Sequence, residues 1–184
     1  MLAATRYFLM PALGFSVSLL SAATALAGGP AASFTDLQVG QMVEVDGRVI
    51  GSRLVLADEV EIKKFPRDAQ IQVAIQAIEH DSKTLTMLGV KIVTSDATEV
   101  ENFDDQPLQF SALRLNQVVE VEGSVAEDGT FSATQVEVVD PAEQVGATEA
   151  ELEGQIQEID ASASTIVVLG IKVKITPRTD LEAE

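Results

Sequence analysis

Cysteine and tryptophan are absent, and histidine and tyrosine occur once each among 184 residues. Each absence closes off chemistry. Without Cys there is no disulfide, no thiolate nucleophile and no lipid-modified N-terminal cysteine. With one imidazole and no thiolate, a zinc site lacks its usual ligands. A Ser-His-Asp triad would have to use His80 with Ser82 or Asp81. Those neighbours stand too close in the chain for a site normally assembled from distant segments. There is no phosphate loop and no GxGxxG nucleotide fingerprint. Basic residues are also scarce. Twelve Lys and Arg face 29 Asp and Glu, for a net charge of −17. That balance argues against nucleic acid and anionic lipid, and favours solubility, cations or a basic partner.

Only one long apolar run is present, and it lies at the N-terminus. Residues 1–27 carry Arg6, an apolar stretch from Tyr7 to Ala22, and Ala25-Leu26-Ala27 as a small-x-small cleavage site. This is the pattern of a secretory signal peptide, too short for a spanning helix of about 20 apolar residues. Cleavage places the mature protein in the periplasm or outside the cell, without stable membrane insertion. It also removes a basic residue and no acidic one, so the net charge deepens by one. Residues 28–33 read as a linker.

What is present in abundance is Val, Ile and Leu in a repeated pattern. One half-unit, X, runs from Phe34 and Leu37 through Val43-Glu44-Val45-Asp46-Gly47 to Val60-Glu61-Ile62. It recurs from Phe110 and Leu113 through Val119-Glu120-Val121-Glu122-Gly123 to Val136-Glu137-Val138, 76 residues later without a gap. A second half-unit, Y, contains Ile75, Ile78, Thr84-Leu85 and Leu88-Gly89-Val90-Lys91-Ile92. It recurs 81 residues later at Ile156, Ile159, Thr165-Ile166 and Leu169-Gly170-Ile171-Lys172-Val173. The order is X, Y, X, Y.

Alternation of apolar and polar residues marks both half-units as strands. Glu127-Asp128-Gly129-Thr130 is a hairpin signal, and His80–Lys83 is a polar turn. The apolar period slips between Ile75 and Ile78, between Ile156 and Ile159, and again at Ala57–Val60 and Ala133–Val136. Such slips indicate β-bulges, which a small barrel needs to bend its strands. The 97–113 link has room for a short helical turn.

The expected fold is therefore all-β, with two tandem five-stranded OB-like small barrels. Residues 71–140 would form one complete barrel, and 34–63 would pair with 149–182 to form the other from the chain ends. Consecutive grouping, 34–101 and 110–182, remains open as the alternative. The Leu-Gly-Val/Ile strand, Thr98, and Phe-x-x-Leu followed by Val-Glu-Val-x-Gly resemble a bacterial family of exported proteins known as domain of unknown function 5666. The family pattern favours Gly before the Val-Glu-Val strand. Gly40 fits, whereas Asn116 departs while still tolerating a left-handed backbone. The resemblance implies no activity and no catalytic residues.

Candidate binding residues follow from where OB-like barrels bind, on one sheet face and two loops. The loops are His80, Asp81 and Lys83 in one and Glu127 and Asp128 in the other; the exposed face is Thr84, Thr86, Lys91 and Thr94. Asp96, Glu99, Glu101, Asp104 and Asp105 form an acidic run that offers weak calcium coordination but lacks EF-hand spacing. The alternating Glu149, Glu151 and Glu153 read as the outer face of a strand, where charge would discourage edge pairing between chains. The functional expectation is an exported, non-catalytic binding or scaffold protein with no cofactor, its partner a protein or an envelope polymer. A weak calcium-binding protein is the alternative.

Overall fold

Alternation along each strand places Val43 and Val45 inward and Glu44 and Asp46 outward, and the same holds for Val119 and Val121 against Glu120 and Glu122. A computed structural model describes residues 30–65, 68–126, 128–140 and 148–184. Residues 1–27, expected to be a signal peptide, and residues 28 and 29 of the expected linker lie outside the described residues. The strands are β1 (Met42–Gly51), β2 (Leu54–Ile62), β3 (Ala69–Ala74), β4 (Ala77–Glu79), β5 (Thr84–Met87), β6 (Val90–Val93) and β7 (Glu99–Glu101). They continue with β8 (Val118–Val125), β9 (Phe131–Val138), β10 (Glu149–Asp160), β11 (Thr165–Val168), β12 (Ile171–Lys174) and β13 (Asp180–Ala183). Two short 3-10 turns, Phe34–Asp36 and Phe110–Ala112, precede β1 and β8.

The molecule is all-β and contains a closed five-stranded barrel. Strand β1 pairs with β2 and with β10; β10 continues to β11, β11 to β12, and β12 returns parallel to β2. Strands from the two chain ends thus share one ring. The middle of the chain repeats the order: β3 pairs with β8, β8 with β9, β9 with β6, β6 with β5 and β5 with β4. Here the strand equivalent to β10 is broken into β3 and β4, which are separated by two residues.

The period slips are real bends. The β10–β11 register shifts between Ile156 and Glu158, and the equivalent residues Ile75 and Gln76 are the break between β3 and β4. In the hairpins the register shifts at Asp46/Gly47 and at Glu122/Gly123, leaving Asp58 and Thr134 unpaired on the opposite strands. Glycine is required there: a Cβ on Gly47 would lie 2.4 Å from the Leu56 carbonyl oxygen, and on Gly123 2.1 Å from that of Ser132. Asn116 takes the left-handed backbone of its counterpart Gly40, with φ 63° against 89°.

The Leu-Gly-Val/Ile segment, expected as strand throughout, begins as a tight turn. Leu88-Gly89 and Leu169-Gly170 connect their hairpins with φ values of 50° and 74°, and 54° and 72°. Positive φ at both positions matches the twist of the flanking strands. Leucine tolerates this geometry because both leucine side chains are buried in the core.

The rings meet through equivalent strands. Strand β10 pairs antiparallel with β3 at Glu151–Gln72, Leu152–Ile71 and Glu153–Gln70. Leu152 and Ile71 are themselves related by the 81-residue offset, so a local twofold passes through their pair. It is an isologous contact within one chain. Reading across the ladders, Val60, Val45, Leu152, Ile71, Val121 and Val136 form one continuous apolar row, each fully buried.

Candidate functional site: an acidic sheet face

Turning the same strands over shows what the alternation puts outside. The order β13, β2, β1, β10, β3, β8, β9, β7 carries two cross-strand rows on its outer face. One row reads Glu182, Glu61, Glu44, Glu153, Gln70, Glu122, Gln135, Glu99. The other reads Asp180, Glu59, Asp46, Glu151, Gln72, Glu120, Glu137, Glu101. Only three glutamines interrupt the acids. Neighbouring strands lie about 4.8 Å apart, so adjacent carboxylates repel across the ladder.

The second row carries the consequence. Asp46, Glu59, Glu120, Glu137 and Glu151 all have carboxyls raised above the ordinary range, and all five stand in it. Burial is the first cause in each case, and neighbouring carboxylates add to it. Glu151 is pushed up to about 7, by burial and then by Asp46, Glu44, Glu120 and Glu153. The carboxyls held low, Asp36, Asp96, Asp128 and Asp160, stand in or beside exposed turns off this face and accept hydrogen bonds there.

One cation serves the face at its β2 end. Lys63 Nζ lies 2.6 Å from Glu44 and 2.5 Å from Glu61, with 8% of its side chain exposed. Burial alone would lower this ammonium, but the two carboxylates outweigh it and raise it. Beside the dyad, Asp46, Asp58, Gln72, Glu149 and Glu151 line a pocket of about 150 Å³. Arg48 at its rim makes a bidentate pair with Asp58, both bonds 3.1 Å, in open solvent.

The residues singled out in the sequence are scattered. His80 and Lys83 line a cleft with Thr94–Asp96 and the Gln109–Ser111 segment, and the Phe110 ring lies edge-on to the imidazole at 6.0 Å. Asp128 lines a separate cleft with Gln157, Glu158 and Gly170. The two loops therefore do not bound one site. Glu127 lies outside the described residues. Asp81, Lys91 and Asp128 are exposed and Thr86 is half-buried. Thr84 and Thr94, expected on the exposed face, are instead buried, their hydroxyls donating to the Ser82 and Lys83 carbonyls. Both sit where β5 and β6 close over the polar turn.

The acidic run is also divided. Asp96 pairs with Lys83 at 2.5 Å; Glu99 and Glu101 occupy different rows of the acidic face; Asp104 and Asp105 lie in the Asn102–Gln106 turn. Among the described residues, no group of three or more Asp, Glu or His is arranged to hold a metal ion. Glu149 is exposed and Glu151 half-buried, but Glu153, expected on the outer face, is buried at 5% exposure, and β10 is not an edge: it is paired on both sides, by β1 and β3.

A family model described as a domain of unknown function, DUF5666, matches residues 13–61, 74–137 and 153–184. The chain belongs to this DUF5666 family. The middle match takes in β4 to β9, and the outer two take in β1 with most of β2 and the later part of β10 with β11 to β13. No curated protein and no solved structure matches the chain.

Proposed function

We propose that this DUF5666 protein is an exported, non-catalytic binding module of the cell envelope that presents its acidic sheet face to a basic protein segment. The observation that supports this most is the row of raised carboxyls centred on Glu151 and opening into the Asp46–Glu149–Glu151 pocket. A cation arriving there relieves the repulsion among the carboxylates, which release protons as it binds. The pocket, about 150 Å³, is well below the roughly 300–1,000 Å³ of small-molecule sites and suits one Lys or Arg side chain.

A carboxyl near neutrality also fits a general acid or base. Catalysis is less well supported, because the pocket is too small for a sugar ring and its described lining carries no hydroxyl nucleophile and no imidazole. The calcium reading draws on the 96–105 run, whose acids point to different surroundings.

The test is calorimetric titration of the mature chain with a Lys-rich peptide at neutral pH, in two buffers of different ionisation enthalpy. Binding with proton release, weakened by salt and blunted in Glu151→Gln and Asp46→Asn, supports the proposal. Binding with no proton release, or unaltered by both substitutions, removes it. Calcium run in parallel discriminates the alternative, which requires a response that Asp104→Asn/Asp105→Asn abolishes.

A further inference from the structure

The internal repeat supplies its own control for a second site, independent of the acidic face. Two turns occupy the same place in the two Y half-units: His80–Lys83 and Ala161–Ser164. The 3-10 turn beneath them is also shared, with Phe110 in one copy and Phe34 in the other. The aromatic ring thus belongs to the common architecture. What differs is the polar equipment. His80, Lys83 and Asp96 correspond to Ala161, Ser164 and Pro177. The other turn keeps a carboxylate, Asp160, and an ammonium, Lys174, bonded to its own backbone, but has neither of these nor an imidazole at the three equivalent positions, so the fold does not require His80, Lys83 and Asp96 where they stand.

We propose that the cleft between the His80–Lys83 turn and the Gln109–Ser111 segment binds a neutral, hydroxyl-rich ligand of the saccharide class. The cleft measures about 400 Å³, within the size range of small-ligand sites, and its lining is mostly polar over a floor of Val100, Leu108 and Phe110. Among the described residues, the His80 imidazole, the Gln109 amide and the Ser111 hydroxyl make no side-chain hydrogen bond, so donors and acceptors remain for a ligand. Lys83 and Asp96 neutralise each other at 2.5 Å across the rim. The cleft therefore has no net formal charge within a protein of net charge −17. Anions are repelled by the whole molecule, and cations are drawn to the acidic rows. An apolar ligand would strand the polar lining without partners. A polyol ring, with hydroxyls at its edge and carbon–hydrogen faces for Phe110, satisfies both kinds of surface.

The test is nitrogen- and carbon-detected chemical-shift mapping of the mature chain against neutral hexose oligosaccharides, N-acetylhexosamine oligosaccharides and uronic-acid oligosaccharides. The paired variant is His80→Ala/Lys83→Ser, which installs the residues of the other copy and keeps the fold. Expected is a response at His80, Phe110 and Ser111 to a neutral sugar with millimolar affinity. It should weaken about tenfold in the variant, the scale of one or two lost polar contacts, at unchanged melting temperature. No response to any neutral sugar, a response elsewhere on the surface, or one that survives the variant overturns the proposal. A response confined to uronic acids also overturns it, and reassigns Lys83 as an anion contact.

Discussion

At the two ends of the dyad-related junction, the same backbone builds two pockets. One is lined by Asp46, Gly47, Val118, Glu149, Ala150 and Glu151; the other by Met42, Asp68, Ala69, Gly123, Ser124 and Gln155. The offsets pair Gly47 with Gly123, Val118 with Met42 and Ala150 with Ala69. These shared residues turn the strand, fill the wall or permit close approach, and they belong to the barrel. The carboxylates are unequal: Asp46, Asp58, Glu149 and Glu151 line the first pocket, whereas Asp68, the counterpart of Glu149, lines the second, and Glu151 corresponds to Gln70, which lies outside it. The lesson is that duplication supplied the scaffold twice, and charge then accumulated unequally on it. The His80 cleft and its Ala161 counterpart teach the same thing in the middle and end halves.

Five measurements sharpen or break that comparison. The largest effect belongs to what both halves share at the dyad. Leu152→Ala and Ile71→Ala should each cost about 2–5 kcal/mol in urea unfolding, because each opens a hole in the one apolar row that crosses both rings. A loss confined to one half, seen as two separated transitions, would break the picture of a common seam. Next, Gly47→Ala and Gly123→Ala should cost similar amounts, about 1–3 kcal/mol each, from the forced contact with a carbonyl. A large disparity would mean that the two bulges are not equivalent.

The third concerns pH. Carboxyls raised in the folded protein bind protons that the unfolded chain releases. Stability from the acidic face is therefore fully present below the unfolded carboxyl range, and is lost as pH rises through the folded value, about 7 for Glu151. The melting temperature should fall between pH 5 and pH 8, and Glu151→Gln should flatten that fall. Gln70→Glu, which adds the missing acid on the dyad-related side, should steepen it. The fourth is ionic strength: at pH 8 added sodium chloride should raise the melting temperature of the native chain more than that of Glu151→Gln, since salt screens repulsion between exposed carboxylates. The smallest effect is expected at the Lys83–Asp96 pair. Asp96 is 94% exposed and its attraction to Lys83 is screened by solvent, so Asp96→Asn should leave the urea unfolding midpoint essentially unchanged.

Much of the fold was legible in residue spacing. The gapless offsets, the period slips at Ile75–Ile78 and Ile156–Ile159, and Gly47 and Gly123 named the strands and their bends, because a bulge shifts the apolar phase by one residue and leaves a visible mark. Pairing was less legible. Both X half-units carry the same pattern, so either could be written beside either Y, and only the ladders of β1 with β10 and β2 with β12 distinguish the groupings. The acidic face was the hardest to read. Glu44, Glu59, Glu99, Glu120, Glu151 and Asp180 each look like the ordinary outer residue of an alternating strand. Their alignment depends on register between residues as far apart as Glu59 and Asp180, 121 positions along the chain. Thr84 and Thr94 misled for a related reason: a threonine in an alternating strand reads as outward, and the backbone carbonyls that satisfy its hydroxyl are invisible in sequence.

The two edges of the acidic sheet are closed in matching ways. Ala31 bridges Glu182 on β13, and Pro107, its counterpart 76 residues later, bridges Glu101 on β7. The first of these bridges also sets residues 31 and 32 beside β13, with Ala32 N donating to the Leu181 carbonyl at 2.7 Å. Topologically, the four half-units form a necklace, with residues 31 and 32 meeting β13 at its clasp. A circular permutant with those ends spliced, and new ones cut between Asp140 and Thr148, would keep every ladder described above. Such a molecule would carry its termini at the link between β9 and β10 instead, a geometry for displaying the acidic face from a different anchor point.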